Sequence, residues 1–491
     1  MRRSTKIAIL LFAMGCLFAA METSWSQEVT AGITGTVLDP SGAPINGADV
    51  TAKDKDRGTT FTTHSDSSGV FNITRLPVGT YSVTASAQGF DTAVYPPFTL
   101  VLNQIANVKF EMKIGQLSQV VEVSGSAPIL QTQTTDVSTL IDANTNVSLP
   151  LASRNYLQLT LLAPGATNVD PDGMRTPHEM TSSGRPYING NREQANEYLI
   201  DGVLNSEDKN DEVGYTPSVD AIQEFNLITQ NASAEFGNYE GGVVSATIKS
   251  GTNSFHGDLY EFFRNDALDA NLASAGWYQG VDNGKLGFNA QGVQNKPELR
   301  YNQFGGTIGG PIIKNKLFFF ADYQGQRLVN AGPTGAQVLT QQARSGDFGQ
   351  LCTSFGGTFN GAGICSGGTG ITLKNPTTSA PIPFNNLANA GLAPSPVATS
   401  LFGMTKYYPL PQTNTLNGNN YFYNSGNDLN NNQGDLKIDY NATDKDRIFA
   451  RWSQMDLNQP AFTGCVFCNS GAVEGSDEPV RNAVLDWSHI I

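Results

Sequence analysis

The chain has 491 residues, 44 acidic against 30 basic, and a formal net charge of −14. No Lys/Arg cluster is present to neutralise phosphates, which argues against nucleic acid as a partner. With 39% hydrophobic residues, only 15% charged and 51 glycines, the chain is not wholly disordered, and it suits β-structure with long loops better than helical bundles. Its length leaves room for about two to four domains.

Residues 1–26 read as a secretory signal peptide. Arg2, Arg3 and Lys6 precede an apolar run over 7–20, and Ser24-Trp25-Ser26 offers a small-residue cleavage site before Gln27. That run is shorter than the ~20 residues a membrane-spanning helix needs. Cys16 resembles a lipoprotein position, but the apolar core continues past it, which favours ordinary cleavage.

Residues 27–114 are expected to form an all-β sandwich of about seven strands. Val37, Val50, Phe71, Ile73, Tyr81 and Val83 alternate with polar neighbours, and Asp39-Pro40-Ser41-Gly42 and Leu76-Pro77-Val78-Gly79 are turn sequences. Asp39 and Asp66 fall in turns, where bonding to the backbone accounts for them without a metal.

The segment 115–250 reads as a mixed α/β unit. It opens on the β-prone stretch QLSQVVEVSGSAP at 116–128, continues with SLPLASRNYLQLTLLAPG at roughly helical spacing, and passes through a Gly/Pro/Ser-rich loop at 166–184. Tyr198-Leu199-Ile200 then runs into Asp201-Gly202, a short buried strand closing on a tight turn. Strands at 225–229 and 243–249 flank a small-residue turn containing Gly237, Gly241 and Gly242.

From 251 to 491 the pattern changes. Segments 253–264, 300–312, 316–328, 432–441, 446–455 and 479–489 have the period of membrane strands. Leu436, Ile438 and Tyr440 are expected to face lipid, with Asp435, Lys437, Asp439 and Asn441 facing a lumen. Ile448, Ala450 and Trp452 repeat the pattern against Arg447, Arg451 and Ser453. A soluble sandwich alternates in the same way, so connection lengths discriminate better. Tight joins near 314–316 and 443–444 alternate with long polar ones at 265–299, 329–431 and 456–478.

These blocks carry a resemblance. LIDGV, IQEFNLITQ…EFG…GGVVSATIKSGTNSFHG and RYNQFGGTIGGPIIKNKLFFFADYQGQR are similar to TonB-dependent outer-membrane receptors of the Oar-like group. The 32–113 stretch resembles their carboxypeptidase-regulatory-like (prealbumin-like) domain. The resemblance implies a mainly β chain: sandwich, mixed α/β plug over 115–250 and an incomplete transmembrane antiparallel barrel over 251–491. A plugged transporter has ~22 strands, so six segments imply a chain truncated within the barrel.

The resemblance further implies a receptor/transporter for a ligand too large for porins. It would sit in outer-membrane lipid and be energised through a periplasmic TonB–ExbB–ExbD complex. Val120, Val121, Glu122 and Val123 are the candidate for the extended segment that pairs with TonB by strand addition; an ordinary first plug strand fits the same residues. Asp201, Gly202, Gly241 and Gly242 form the plug motif, and Arg185, Asn189 and Arg192 are candidate ligand contacts. An oligosaccharide is slightly favoured as ligand by the sandwich. The alternative is a surface adhesin or structural outer-membrane protein with a carbohydrate-binding-like domain.

Four cysteines lie beyond the signal segment: Cys352, Cys365, Cys465 and Cys468. In an exported chain such closely spaced pairs read as disulfides. His64, His178, His256 and His489 are scattered, with no H-E-x-x-H, P-loop or Gly-x-Ser-x-Gly pattern. No catalytic residue, metal site or cofactor is expected.

Overall fold

The computed structural model describes residues 31–115, 120–122, 135–151, 153–169, 174, 184–207, 211–237, 239–269, 299–405, 408–411, 414, 416–426, 428–443, 445–460 and 475–489. The signal segment, Val123, Cys465 and Cys468 lie outside these residues.

The first seven strands are β1 (Ala31–Leu38), β2 (Asp49–Asp54), β3 (Thr60–His64), β4 (Val70–Leu76), β5 (Gly79–Ser86), β6 (Thr92–Leu100) and β7 (Ile105–Glu111). They make two facing sheets, β4-β1-β7 and β3-β2-β5-β6, with β1 and β7 parallel. The alternating apolar residues meet between the sheets: Val37, Val50, Phe71, Tyr81, Val83 and Phe110 are all buried. Burying each such side chain contributes roughly 1.5–3 kcal/mol, which explains why a strict two-residue period specifies the layer. The turn aspartates act as expected. Asp39 Oδ1 accepts the backbone N–H groups of Ser41 (2.8 Å) and Ala43 (2.9 Å), and Asp66 Oδ1 those of Ser68 (2.8 Å) and Val70 (2.9 Å).

Strand β8 (Val120–Glu122) does not begin the following unit. It adds to the outer edge of the sandwich, parallel to β6.

The mixed unit comprises β9 (Val137–Asp142), β10 (Ala166–Thr167), β11 (Tyr187–Ile188), β12 (Glu197–Ile200), β13 (Val203–Leu204), β14 (Ile222–Gln230) and β15 (Val243–Ile248). Its main sheet runs β13-β12-β15-β14-β9, with β12 and β15 parallel. The helix Ala143–Ser148 is capped by Asp142, whose carboxylate accepts the Thr145 N–H. The stretch read at helical spacing forms a 3-10 helix at Tyr156–Leu162 instead of a longer α-helix. Tyr156, Leu157 and Leu159 enter the core, but Leu162 is 53% exposed. At three residues per turn the apolar stripe drifts, and its last member leaves the buried face.

Seven longer strands and one short hairpin follow: β16 (His256–Asn265), β17 (Leu299–Ile313), β18 (Leu317–Ala336), β19 (Thr358–Phe359), β20 (Cys365–Ser366), β21 (Tyr421–Gly426), β22 (Leu429–Asn441), β23 (Asp446–Gln459) and β24 (Ser476–His489). The large sheet is antiparallel, in the order β16-β17-β18-β22-β23-β24, with β21 paired to the far part of β18. All six segments read from the sequence are present; β21 and the extension of β18 to Ala336 are additions. Among the described residues β16 and β24 each pair on one side only, so the sheet is open.

The two faces of this sheet differ as the alternation requires. On β22, Asp435, Lys437, Asp439 and Asn441 are buried, while Leu436 and Ile438 are 47% and 37% exposed. On β23, Arg451 and Ser453 point inward and Trp452 is 46% exposed. Over these stretches, charged residues inside and aliphatic or aromatic residues outside reverse the order of a water-soluble sheet and match a wall that meets hydrocarbon. Elsewhere on the inward face, Phe320 and Met455 pack on Ile200, Tyr215 and Ile248 of the mixed unit.

Candidate functional site at the seam between plug and wall

The mixed sheet packs against the inward, polar face of the large sheet. Its closest engagement is built by the two-residue turn between β12 and β13. Asp201 (φ 50°) and Gly202 (φ 76°) are both left-handed, the geometry of a type I′ turn. That turn carries the Asp201 carboxylate, 3% exposed, into the wall. There it ion-pairs with Lys437 Nζ (3.0 Å) and Arg451 Nε (2.8 Å), and its Oδ1 also accepts the Ile248 backbone N–H (3.1 Å). Lys437 returns a bond to the Ile248 carbonyl (3.0 Å), and its ammonium lies 5.0 Å from the Phe449 ring centroid.

The cluster extends along the wall. Arg451 donates to Ser453, Ser453 donates to Asp435, and Asp435 accepts the Tyr215 hydroxyl of the mixed unit at 2.9 Å. The Asp435 backbone N–H reaches Asp322 at 3.2 Å, and Gln433 donates to the Thr216 carbonyl at 3.1 Å. Charge is therefore paired across the seam: an acid from the small unit sits between two bases of the wall. In so dry a place, removing one partner leaves the other charge uncompensated, at a cost of about 3–5 kcal/mol.

A second seam lies on β16 and β17. Arg154, left-handed at φ 51° and 7% exposed, ion-pairs with Asp220 at 2.7 Å. Its guanidinium stacks 4.0 Å from the Phe262 ring centroid and 5.6 Å from that of Tyr260. Tyr260 donates to Gln324 at 3.2 Å and shares a 3.1 Å hydrogen bond with Ser218. A cavity of about 690 Å³ between this seam and Val147–Leu151 is lined also by Phe263, Arg264 and Tyr301.

The sandwich engages both other units. Asn441 donates to Thr59 Oγ1 (2.8 Å), the Asn253 N–H to the Asp56 carbonyl (3.0 Å), and Arg75 to the His489 carbonyl (3.1 Å). All three contacts lie at the tight-turn end of the large sheet. Toward the mixed unit, the Leu102 N–H donates to Glu224 Oε2 at 2.7 Å, and Glu224 is only 3% exposed. Burial above all, helped by the negative charge of Asp142, pushes the Glu224 carboxyl up to about 7 against the lowering effect of the Leu102 bond. A cavity of about 490 Å³ at the junction of the three units is lined by Asp56, Arg57, Asp220, Lys249, His256 and Asp258, among others.

The residues singled out from the sequence fall into different roles. Asp201 and Gly202 form the seam turn. Gly242 sits where a Cβ would come within 2.8 Å of Ile188 and 2.9 Å of the Ile228 carbonyl, so it serves close packing; Gly241 is equally crowded by Asn196. Arg185 is 1% exposed and pairs with Glu193 at 3.3 Å, which makes it a buried strut instead of an open contact. Asn189 adopts φ 53° and donates to the Thr229 carbonyl at 2.8 Å, while Arg192 is exposed ahead of the 3-10 helix Glu193–Ala195. Cys352 and Cys365 are joined by a disulfide inside a folded connection spanning 337–420. Lys437 and Arg451 had been legible only as lumen-facing positions, and Arg154 carried no signal, because nothing in a linear pattern says which inward charges meet.

Comparison with known proteins gives this arrangement its class. Residues 247–491 match the family model of an outer membrane beta barrel domain, and residues 32–113 that of a carboxypeptidase regulatory-like domain. The chain is thus an outer-membrane β-barrel protein with a regulatory-like sandwich ahead of its plug and wall. More particularly, it is a homologue of the TonB-dependent transporter Oar of Myxococcus xanthus, with 30% identity over 339 residues. The match covers 66% of this chain and 29% of that protein.

Among solved structures, similarity extends to the outer membrane transporter YddB of Escherichia coli. There the identity is 12%, the TM-score 0.37, and coverage 66% of this chain and 34% of that one. The siderophore receptor PirA of Acinetobacter baumannii gives 13%, 0.29, 71% and 43% respectively.

Proposed function

We propose that the chain acts as a TonB-dependent outer-membrane receptor/transporter, with the mixed unit as a plug held in the lumen by the Asp201 cluster. The observation that carries this reading is the pairing of Asp201 with Lys437 and Arg451 across the seam. A plug joined to its wall by a small number of buried ion pairs is firmly seated yet releasable as a unit, because breaking those pairs exchanges buried partners for lumen water.

The tight-turn end, where the sandwich docks, is the periplasmic side of such a wall. Energy would arrive through the periplasmic TonB–ExbB–ExbD complex, which would grip the chain by strand addition to Val120–Val123. The ligand would be one too large for porins, with an oligosaccharide slightly favoured. Of the three contact candidates, Asn189 and Arg192 are exposed and would be open to it; Arg185 would act structurally. The protein would work by binding and moving its ligand without chemical change.

The test is retention of detergent-solubilised chain on an immobilised periplasmic domain of TonB. Retention is expected to disappear when 120–123 are deleted; equal retention of both forms would reject the assignment.

A further inference from the structure

The sandwich and the segment after it are not independent. Beyond β7, residues 113–115 and 120–122 are laid against residues 89–94. The Asp91 N–H donates to the Lys113 carbonyl (2.8 Å), the Gly115 N–H to the Gly89 carbonyl (3.2 Å), and Phe90 forms a bridge with Ile114. Val120, Val121 and Glu122 then pair in parallel register with Thr92, Ala93 and Val94. These three residues close the outer edge of the sheet β3-β2-β5-β6. Without them, the start of β6 would present unpaired main-chain groups, the template on which strands add.

From this placement we propose that the β6 edge of the sandwich is a strand-accepting site for residues 120–122, and that it withholds them from the periplasmic transducer. The inference rests on the transporter reading above and adds a regulation to it. A main-chain N–H or C=O that is paired to β6 is not free to pair with another strand, so sandwich and transducer compete for one segment. Among the described residues three pairs hold it, and a longer partner strand displaces so short a pairing. The apparent affinity for the transducer is then the intrinsic one reduced by the fraction of chain whose segment is free.

A cross-strand lock tests this. Val94→Cys and Glu122→Cys are register partners. The double variant is oxidised in detergent, and its binding to the immobilised periplasmic domain of TonB is compared with the reduced form, both single variants and the parent under the same oxidant and reductant. We expect the disulfide to form, binding to fall at least tenfold in the oxidised double variant alone, and reduction to restore it. Free transducer domain should in turn lower the rate of disulfide formation. Oxidised and reduced double variants that bind equally would overturn the proposal, as would failure of the two cysteines to join. A parent that binds no transducer at all would remove the transporter reading and this inference with it, while the yield of the lock would still report whether the segment docks on β6.

Discussion

At the scale of single residues, Asp201 is the position where local and tertiary demands coincide. Its left-handed backbone closes the β12–β13 turn, and its carboxylate holds Lys437 and Arg451. Asp201→Ala should cost about 3–5 kcal/mol, since two buried cations lose their partner. Asp201→Asn keeps the turn, because asparagine tolerates the left-handed region, and isolates the charge. Thermal unfolding followed by tryptophan fluorescence checks both: a shift for the alanine variant that the asparagine variant does not share would assign the effect to the turn.

Glu224 gives a second expectation, this one in pH. Its carboxyl, near 7 in the folded chain, lies above the ordinary glutamate value. Between those two values the folded form binds more protons than the unfolded one, so stability falls as pH rises through that window and levels off above about 7. The gap corresponds to on the order of 3 kcal/mol. Glu224→Gln, whose side-chain oxygen still accepts the Leu102 N–H, should flatten the dependence of the unfolding midpoint between pH 5 and 8; an unchanged slope would sink this account.

At the scale of elements, the connection after β18 shows what a polar loop can become. Its sequence reads as a long polar connection, yet it folds around Arg344. That side chain donates to the carbonyls of Leu339, Phe402, Tyr408 and Pro409 and stacks 5.6 Å from the Phe402 ring centroid. A single guanidinium supplies the donors that so many turn carbonyls need, and Cys352–Cys365 ties the helical turn Gln350–Thr353 to β20. Replacing both cysteines by serine should loosen this connection by roughly 2–4 kcal/mol without disturbing the wall. Limited proteolysis should therefore cut within 337–420 first. Simultaneous loss of the wall would show that the connection is part of its core.

At the scale of the whole molecule, the outward face of the large sheet and the inward one obey opposite rules. Leu436→Arg places a charge on the hydrocarbon side and should cost about 2–4 kcal/mol if the position lies near the bilayer midplane. Lys437→Leu, one residue along, empties a partner from the Asp201 cluster and should destabilise plug seating while leaving membrane insertion unchanged. Recovery of each variant in the outer-membrane fraction, against protease resistance of the plug, separates the two. Equal recovery of Leu436→Arg and the parent would mean that this face does not meet lipid.

The sequence alone determined the sandwich, a mixed unit leading into a different strand-rich architecture, the inward and outward faces over 435–441 and 451–453, and the turn at Asp201-Gly202. Each rests on a period, a spacing or a dihedral preference that neighbouring residues specify among themselves. Only the tertiary structure decided that Asp201 meets Lys437 and Arg451, that Arg185 is a buried strut, that Arg154 stacks on Phe262, and that residues 120–122 rest on β6. Those pairings join positions tens to hundreds of residues apart, and the free energy that selects them comes from burial and charge compensation, which exist only once the chain has closed on itself.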